Sequence, residues 1–278
     1  MKVWVTGAYG LLGKAVCARL AAENIPVIAT DQDLDIRDYG AVEWFAGETV
    51  FTHVINCAAF TQVDQCEAKE DHAMHVNADG AAHVARAANR RGAIALQVST
   101  DYVFDGSGTE PYREDAPCAP INAYGRTKLA GERRFTEEGG HYIVRTSWLF
   151  GSGGASFVAT MLRLMTDGAE IRVVDDQCGR PTYSVDLAAA LVGLLQRAPD
   201  AGTYHFANSG AVTWCGFASA IRELARRNAK IIPITTADYP TAAQRPAWSV
   251  LSTERIERVL AAPPRPWRDA LAAHLETL

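Results

Sequence analysis

Through its first half the chain alternates short apolar runs with stretches in which apolar residues recur every three or four positions. Residues 2–6, 26–30, 53–56, 93–99 and 142–146 read as strands; residues 11–23, 39–45, 67–91 and 123–138 read as helices. The strand segments are apolar at nearly every position, not at every second one, so both of their faces must be covered. Strands that alternate with helices in this way predict an α/β fold, a doubly wound parallel sheet with right-handed crossovers. After residue 148 the rhythm is less regular. Residues 156–166, 185–197 and 216–228 read as helices, 203–206 as a strand and 240–246 as a proline-bearing loop, and 263–266 leads into a last helix. The expected division is one domain over residues 1–150, with 170–200 returning to it, and a smaller α/β lobe formed mainly by 151–278. That lobe should sit at the C-terminal edge of the sheet.

Composition narrows the field. The chain has 278 residues, 48% hydrophobic and 21% charged, with a net charge of -5. That balance is ordinary for a folded domain and offers no attraction to nucleic acid or an anionic membrane, so neither is an expected partner. No run approaches the ~20 apolar residues that cross a bilayer. Met1 leads directly into the first strand, which leaves no room for a signal peptide's apolar region, and a cytoplasmic location is expected. Cys17, Cys57, Cys66, Cys118, Cys178 and Cys215 are scattered without metal-site spacing, as in a reducing compartment. His72 and His75 have no second ligand cluster beside them, and no metal is expected.

The first motif is Gly7-Ala8-Tyr9-Gly10-Leu11-Leu12-Gly13, which follows a strand and opens a helix. In such a loop Gly7 permits a tight turn, Gly10 lets a pyrophosphate approach the backbone, and Gly13 lets the helix pack closely on the sheet. The helix N-terminus then presents free N–H groups and partial positive charge to phosphates. This is the fingerprint of a dinucleotide-binding, Rossmann-type fold. Asp31 closes the second strand, where an acid accepts from an adenosine ribose 2′-hydroxyl and repels a 2′-phosphate. An exposed turn residue is the competing reading, and Arg37 stands near enough to meet a 2′-phosphate. NADH and NADPH therefore both remain open as cofactors.

The second motif is Tyr124-Gly125-Arg126-Thr127-Lys128, whose Tyr and Lys share one helix face at i and i+4. An ammonium beside a phenol favours the phenolate and lowers its pKa, and such a pair can hand a proton to a carbonyl oxygen. The same spacing is common on helix surfaces. Its position after a strand ending Val98-Ser99-Thr100 is what sets it apart.

The glycine loop, Ser99-Thr100-Asp101-Tyr102-Val103-Phe104 and Tyr124-x-x-x-Lys128 together resemble an extended short-chain dehydrogenase/reductase. Further stretches resemble, within that superfamily, the dTDP-4-dehydrorhamnose reductase family. They are Asn56-Cys57-Ala58-Ala59, Val63-Asp64, Asn77, Arg145-Thr146-Ser147-Trp148, Asp176-Gln177-x-Gly179-x-Pro181-Thr182 and Arg245-Pro246-x-x-Ser249. The likeness runs over essentially the whole chain.

The resemblance implies NAD(P)H-dependent reduction of a 4-keto group on a nucleotide-linked 4-keto-6-deoxy sugar. It makes Thr100, Tyr124 and Lys128 the catalytic residues. Tyr124 would protonate the keto oxygen, Lys128 would tune Tyr124 and hold the nicotinamide ribose, and Thr100 would hydrogen-bond the developing oxyanion. Gly7, Gly10, Leu11, Leu12, Gly13, Asp31, Asp35, Ile36, Cys57, Ala58, Ala59 and Asn77 would line the cofactor with Tyr124 and Lys128, Asp35 and Ile36 flanking the adenine. Asp101 and Tyr102 would steady the sugar, unless they only shape the loop after the strand. Trp148 would stack on sugar or thymine, unless it is a core residue. Arg180 and Arg245 would meet the substrate pyrophosphate, unless they are solvated surface groups; Arg245, stiffened by Pro246, is the stronger candidate.

One departure stands out. Some family members bridge subunits with magnesium through acidic residues on the first helix, where this chain has Lys14 and Ala15. A metal-bridged dimer is not expected, and a monomer or homodimer remains open. Two other functions share the scaffold: a different sugar-nucleotide reductase or an epimerase, and a regulatory subunit that binds dinucleotide without turnover.

Overall fold

The computed structural model describes residues 1–278. Strands β1 (Val3–Thr6), β2 (Val27–Ala29), β3 (His53–Asn56), β4 (Ile94–Thr100) and β5 (Tyr142–Thr146) form a parallel sheet with a sixth strand, Gly202–His205. Across the sheet the order is Gly202–His205, β5, β4, β3, β1, β2. The expected doubly wound sheet is present, and each of these strands lies within about a residue or two of its expected bounds. Alternation along β1 shows why the strands are apolar throughout. Val3 and Val5 point into one core with Leu12, Val16 and Leu20 of helix α1 (Leu11–Ala22) and with the helix Ser184–Arg197. Trp4 points into the other, against Val42, Val84 and Phe135.

The single helix expected over 67–91 is broken. The chain forms short helices Val63–Ala68 and Glu70–Met74, a π-helical turn His75–Asp79, and then the helix Gly80–Arg90. The wide turn is tied to close packing. A Cβ at Gly131 would come within 2.1 Å of the Asn77 carbonyl oxygen, so the helix Ala123–Glu137 presses directly on this segment.

Beyond β5 the chain crosses between two bodies. Glu170–Val174 pairs in parallel with Lys230–Ile234, away from the central sheet. The helices Phe157–Leu164, Trp214–Leu224 and Trp267–Leu275 pack around that pair in a separate apolar core containing Phe150, Val158 and Phe217. Ser184–Arg197 and Gly202–His205 return to the central sheet, as does the helix Glu254–Leu260 through Ile256. The alternation does not reveal the Glu170–Val174 pair, because each partner is five residues long and one contains Pro233. The glycine-rich break at 151–154 is tied down: Lys14 Nζ donates to the Gly153 carbonyl at 3.1 Å.

Candidate active site

The strand order reverses between β1 and β3, and the loops that leave their C-terminal ends open a crevice. In open α/β sheets ligands bind at this switch point. Gly7 has φ +60, and a Cβ there would lie 2.7 Å from the Ala58 nitrogen. A Cβ at Gly13 would come within 2.1 Å of the Gly7 carbonyl oxygen, whereas one at Gly10 would meet nothing closer than 3.3 Å. Gly7 and Gly13 are thus required by the fold, and Gly10 leaves the backbone open to a ligand. Gly10 caps α1 without a side-chain hydrogen bond to its N–H groups. A dinucleotide pyrophosphate fits this cradle.

Two chambers meet at the loop. The wider, of about 1080 Å³, is lined by Asp31, Asp35, Ile36, Arg37 and Ala58, and shares Gly7, Gly10, Cys57 and Ala59 with the other. Asp31 Oδ2 accepts from the Tyr9 backbone N–H at 2.9 Å, so the acid also closes the glycine loop. Arg37 is engaged by Asp35, with Nε–Oδ1 at 2.9 Å and a second contact at 2.6 Å. That pairing holds the Asp35 carboxyl below its usual range.

The second chamber, of about 410 Å³, lies over the ends of β4 and β5 and contains Leu11, Leu12, Gly13, Thr100, Asp101, Tyr102, Tyr124, Lys128 and Trp148. Thr100 ends β4, and Asn122 caps the helix carrying Tyr124 and Lys128 by accepting from the Gly125 N–H at 2.8 Å. Gly125 is itself forced, since a Cβ would lie 2.1 Å from the Tyr102 carbonyl oxygen. This contact locks the helix start against the loop after β4, and so sets Tyr124 beside Thr100. The Tyr102 and Tyr124 rings meet edge to face at 5.8 Å.

The electrostatics differ from the expectation for the Tyr–Lys pair. Lys128 is 4% exposed, and its Nζ donates to the Val98 carbonyl at 2.7 Å. Burial lowers its pKa to about 8, against the opposing charge of Glu132. Burial also holds the Tyr124 phenol above its usual range, and the Thr100 hydroxyl only partly offsets this. Lys128 does not depress the phenol: its ammonium is engaged by the Val98 carbonyl, and desolvation sets the direction of the shift. The phenol keeps its proton at neutral pH, which is the state an acid needs.

Two expected site residues lie elsewhere. Asn77 lines neither chamber. Its Oδ1 accepts from the Phe60 N–H at 2.8 Å and its Nδ2 donates to the Phe60 carbonyl at 3.1 Å and to Thr127 Oγ1 at 3.1 Å. It braces the loop after β3 from beneath. Arg180 also faces away, with a guanidinium N–H donating to Thr253 Oγ1 at 3.3 Å and its carbonyl accepting from Ser147. Its side chain lines neither chamber and lies at the junction between the bodies, its Nε buried without a partner.

Arg245 is placed differently. It pairs through two bonds with Asp64, at 2.6 and 2.7 Å, and lines a third cavity of about 520 Å³ with Tyr102, Gln177, Trp214 and Tyr239. Trp148 has φ +45 and stacks on Trp214, with centroids 3.5 Å apart and planes 7° from parallel. Non-glycine residues in this region are costly and are concentrated at functional sites. Trp214, which borders both the 410 Å³ cleft and the cavity of Arg245, is absent from the sequence reading. Its one local signal is an aromatic in the first turn of a helix capped by Thr213.

The whole chain, residues 1–278, matches the family model described as RmlD substrate binding domain. It is 45% identical to the spore coat polysaccharide biosynthesis protein SpsK of Bacillus subtilis, over 99% of this chain and 97% of that protein. It is 43% identical to a dTDP-4-dehydrorhamnose reductase of Streptomyces griseus, over 99% and 93%. Among solved structures, a dTDP-4-dehydrorhamnose reductase of Bacillus anthracis in complex with NADP superposes with a TM-score of 0.95 at 38% identity, covering 100% of both chains. The corresponding protein of Clostridium acetobutylicum superposes at 0.96 with 41% identity, over 100% of this chain and 99% of that one. A Thermus thermophilus UDP-glucose 4-epimerase shares the fold at 0.86 and 20% identity, over 99% of this chain and 98% of that one. With a dinucleotide cradle, a buried Thr100 and Lys128 flanking a half-buried Tyr124 beside it, and a match along its full length, this chain belongs to the dTDP-4-dehydrorhamnose reductase family.

Proposed function

We propose that this chain is an NAD(P)H-dependent oxidoreductase that reduces the 4-keto group of dTDP-4-dehydro-L-rhamnose to give dTDP-L-rhamnose. The observation that carries this reading is the convergence of Thr100, Tyr124 and Lys128 in one cleft continuous with the glycine-loop cradle. A reduced dinucleotide held by the glycine-loop cradle would supply hydride for the carbonyl carbon. Tyr124 supplies the proton to the carbonyl oxygen, and the Thr100 hydroxyl hydrogen-bonds that oxygen as charge builds on it. Lys128, whose Nζ donates to the Val98 carbonyl, would hold the nicotinamide ribose. Trp148 and Trp214 form a flat wall beside the sugar that excludes water. Residues 1–150 and the returning segments hold the cofactor; the remaining lobe grips the nucleotide. The test is stoichiometric oxidation of NADH or NADPH by the 4-keto sugar nucleotide, with identification of the product. Dinucleotide binding without oxidation would instead indicate a regulatory subunit.

Asp31 and Arg245 give separate predictions. Asp31→Asn keeps an oxygen for the Tyr9 N–H but removes the charge facing the ribose. A hydrogen bond to a charged group contributes roughly 1.5–3 kcal/mol, so the preference for NADH over NADPH is expected to fall about tenfold or more. An unchanged ratio of kcat/KM for the two cofactors would remove Asp31 from the ribose. Arg245→Ala is expected to raise KM for the sugar nucleotide roughly 10- to 100-fold with kcat nearly intact, because phosphate contacts hold substrate and transition state alike. Loss of cofactor affinity in place of substrate affinity would show that Arg245 is not on the substrate.

A further inference from the structure

Asp101 has a setting that holding a sugar hydroxyl does not explain. Its side chain is 2% exposed, yet it borders the cleft. Oδ1 accepts from the Thr100 hydroxyl at 3.0 Å. Oδ2 is buried and makes no close hydrogen bond, although the Ser249 hydroxyl stands near enough to the carboxyl to pull its pKa down. A carboxylate left in that state is costly, and a carboxylic acid is much less so. The Thr100 hydroxyl also adjoins the Tyr124 phenol. Carboxyl, hydroxyl and phenol therefore stand in a row that ends at the group giving up its proton, with the carboxyl–hydroxyl hydrogen bond already made.

We propose that Asp101 is the proton store of this active site, returning a proton to Tyr124 through the Thr100 hydroxyl after each reduction. The inference rests on the reductase reading above. When the keto oxygen takes the Tyr124 proton and hydride reaches the carbon, the alcohol is complete and Tyr124 is a phenolate. With Asp101 protonated the 3.0 Å contact runs the other way, the carboxyl donating to Thr100 Oγ1 and the Thr100 hydroxyl turned to the phenolate; the Thr100 O–H bond then breaks toward the phenolate oxygen as the Asp101 O–H bond breaks toward Thr100 Oγ1. Tyr124 and Thr100 are restored, and Asp101 is left as a carboxylate. Solvent returns its proton when the product leaves the cleft, so no other reactant is needed.

The surroundings favour the stored proton. Burial raises the Asp101 carboxyl to about 7, with the Thr100 and Ser249 hydroxyls pulling the other way. Facing it are the Tyr102 and Tyr124 phenols, whose own protons its charge would hold more tightly. Lys128 sits on the helix of Tyr124, and the Arg245–Asp64 pair lies beyond Tyr102. Because the acid form is the active one, kcat is full below about pH 7 and falls as pH rises through it.

The test uses Asp101→Asn, which keeps the shape and an oxygen for Thr100 but carries no acidic proton. Protein loaded with reduced cofactor is mixed with 4-keto sugar nucleotide, and nicotinamide absorbance is followed through the first turnover and into steady state. The expected result is a first turnover close to wild type, since Tyr124 begins protonated, followed by steady-state turnover about tenfold slower or more. The fall in kcat above pH 7 should also vanish. Equal slowing of first and later turnovers would mean that Asp101 only positions Thr100, and would overturn the proposal, as would a variant that matches wild type in both. Should the variant fail to bind cofactor, the wild-type profile decides: a kcat that stays flat as pH rises through about 7 overturns it. A wild-type protein with no first turnover at all would instead defeat the reductase reading.

Discussion

Tyr124→Phe is expected to abolish nearly all turnover while leaving the fold and the binding of reduced cofactor intact. The substitution removes one oxygen from a ring whose edge-to-face contact with Tyr102 at 5.8 Å does not depend on it. What disappears is the only group in the proposed mechanism that gives a proton directly to the keto oxygen. Positioned acids contribute about 100- to 10,000-fold, and a phenyl ring has no proton to give. Burial holds this phenol above its usual range, so it enters each cycle protonated across the neutral range. The check is kcat on purified variant whose cofactor affinity matches wild type. Turnover within about threefold of wild type would remove Tyr124 from the chemistry, because a loss that small is below what general acids contribute.

Arg145→Met is expected to cost about 3–5 kcal/mol of stability, the usual consequence of leaving a buried charge without its partner. Arg145 on β5 and Glu132 on the helix of Tyr124 have side chains each 5% exposed. Arg145 donates to both Glu132 oxygens, at 2.9 and 2.7 Å, and the Ser99 hydroxyl adds a third bond at 2.5 Å. This pair bolts the catalytic helix to β4 and β5, one turn from Lys128. Adding Glu132→Leu to the variant should recover much of the loss, since two apolar groups do not strand a charge. Chemical denaturation of the two variants measures this. A single variant within about 1 kcal/mol of wild type would show that Glu132 finds another partner or a proton.

The two buried networks mark where the sequence stops being informative. The glycine loop is legible because its requirement is local: one strand, one turn, one helix and three glycines at set spacing. Tyr124 and Lys128 are legible for the same reason, since the helix period alone puts them on one face. The partner of Lys128 is not. It is the Val98 carbonyl, on a strand thirty residues earlier in the chain, and no periodicity specifies it. Asn77 and Arg180 fail in the same way. Each is a polar residue near the right motif, but its direction depends on Phe60 in one case and Thr253 in the other.

By itself the sequence determined the parallel sheet and the dinucleotide loop and put Tyr124 and Lys128 on one helix face, because periodicity, glycine spacing and i, i+4 geometry are properties of short segments; the catalytic role expected of that pair came from the family resemblance. Only the tertiary structure decided which polar groups face the cleft and in what protonation state they stand. Trp214 is carried to Trp148 from sixty-six residues away by the packing of a separate lobe. The shifts of Asp101, Tyr124 and Lys128 all have desolvation as their largest cause. Desolvation depends on everything packed around a group from distant parts of the chain, so it becomes readable only when the chain is folded.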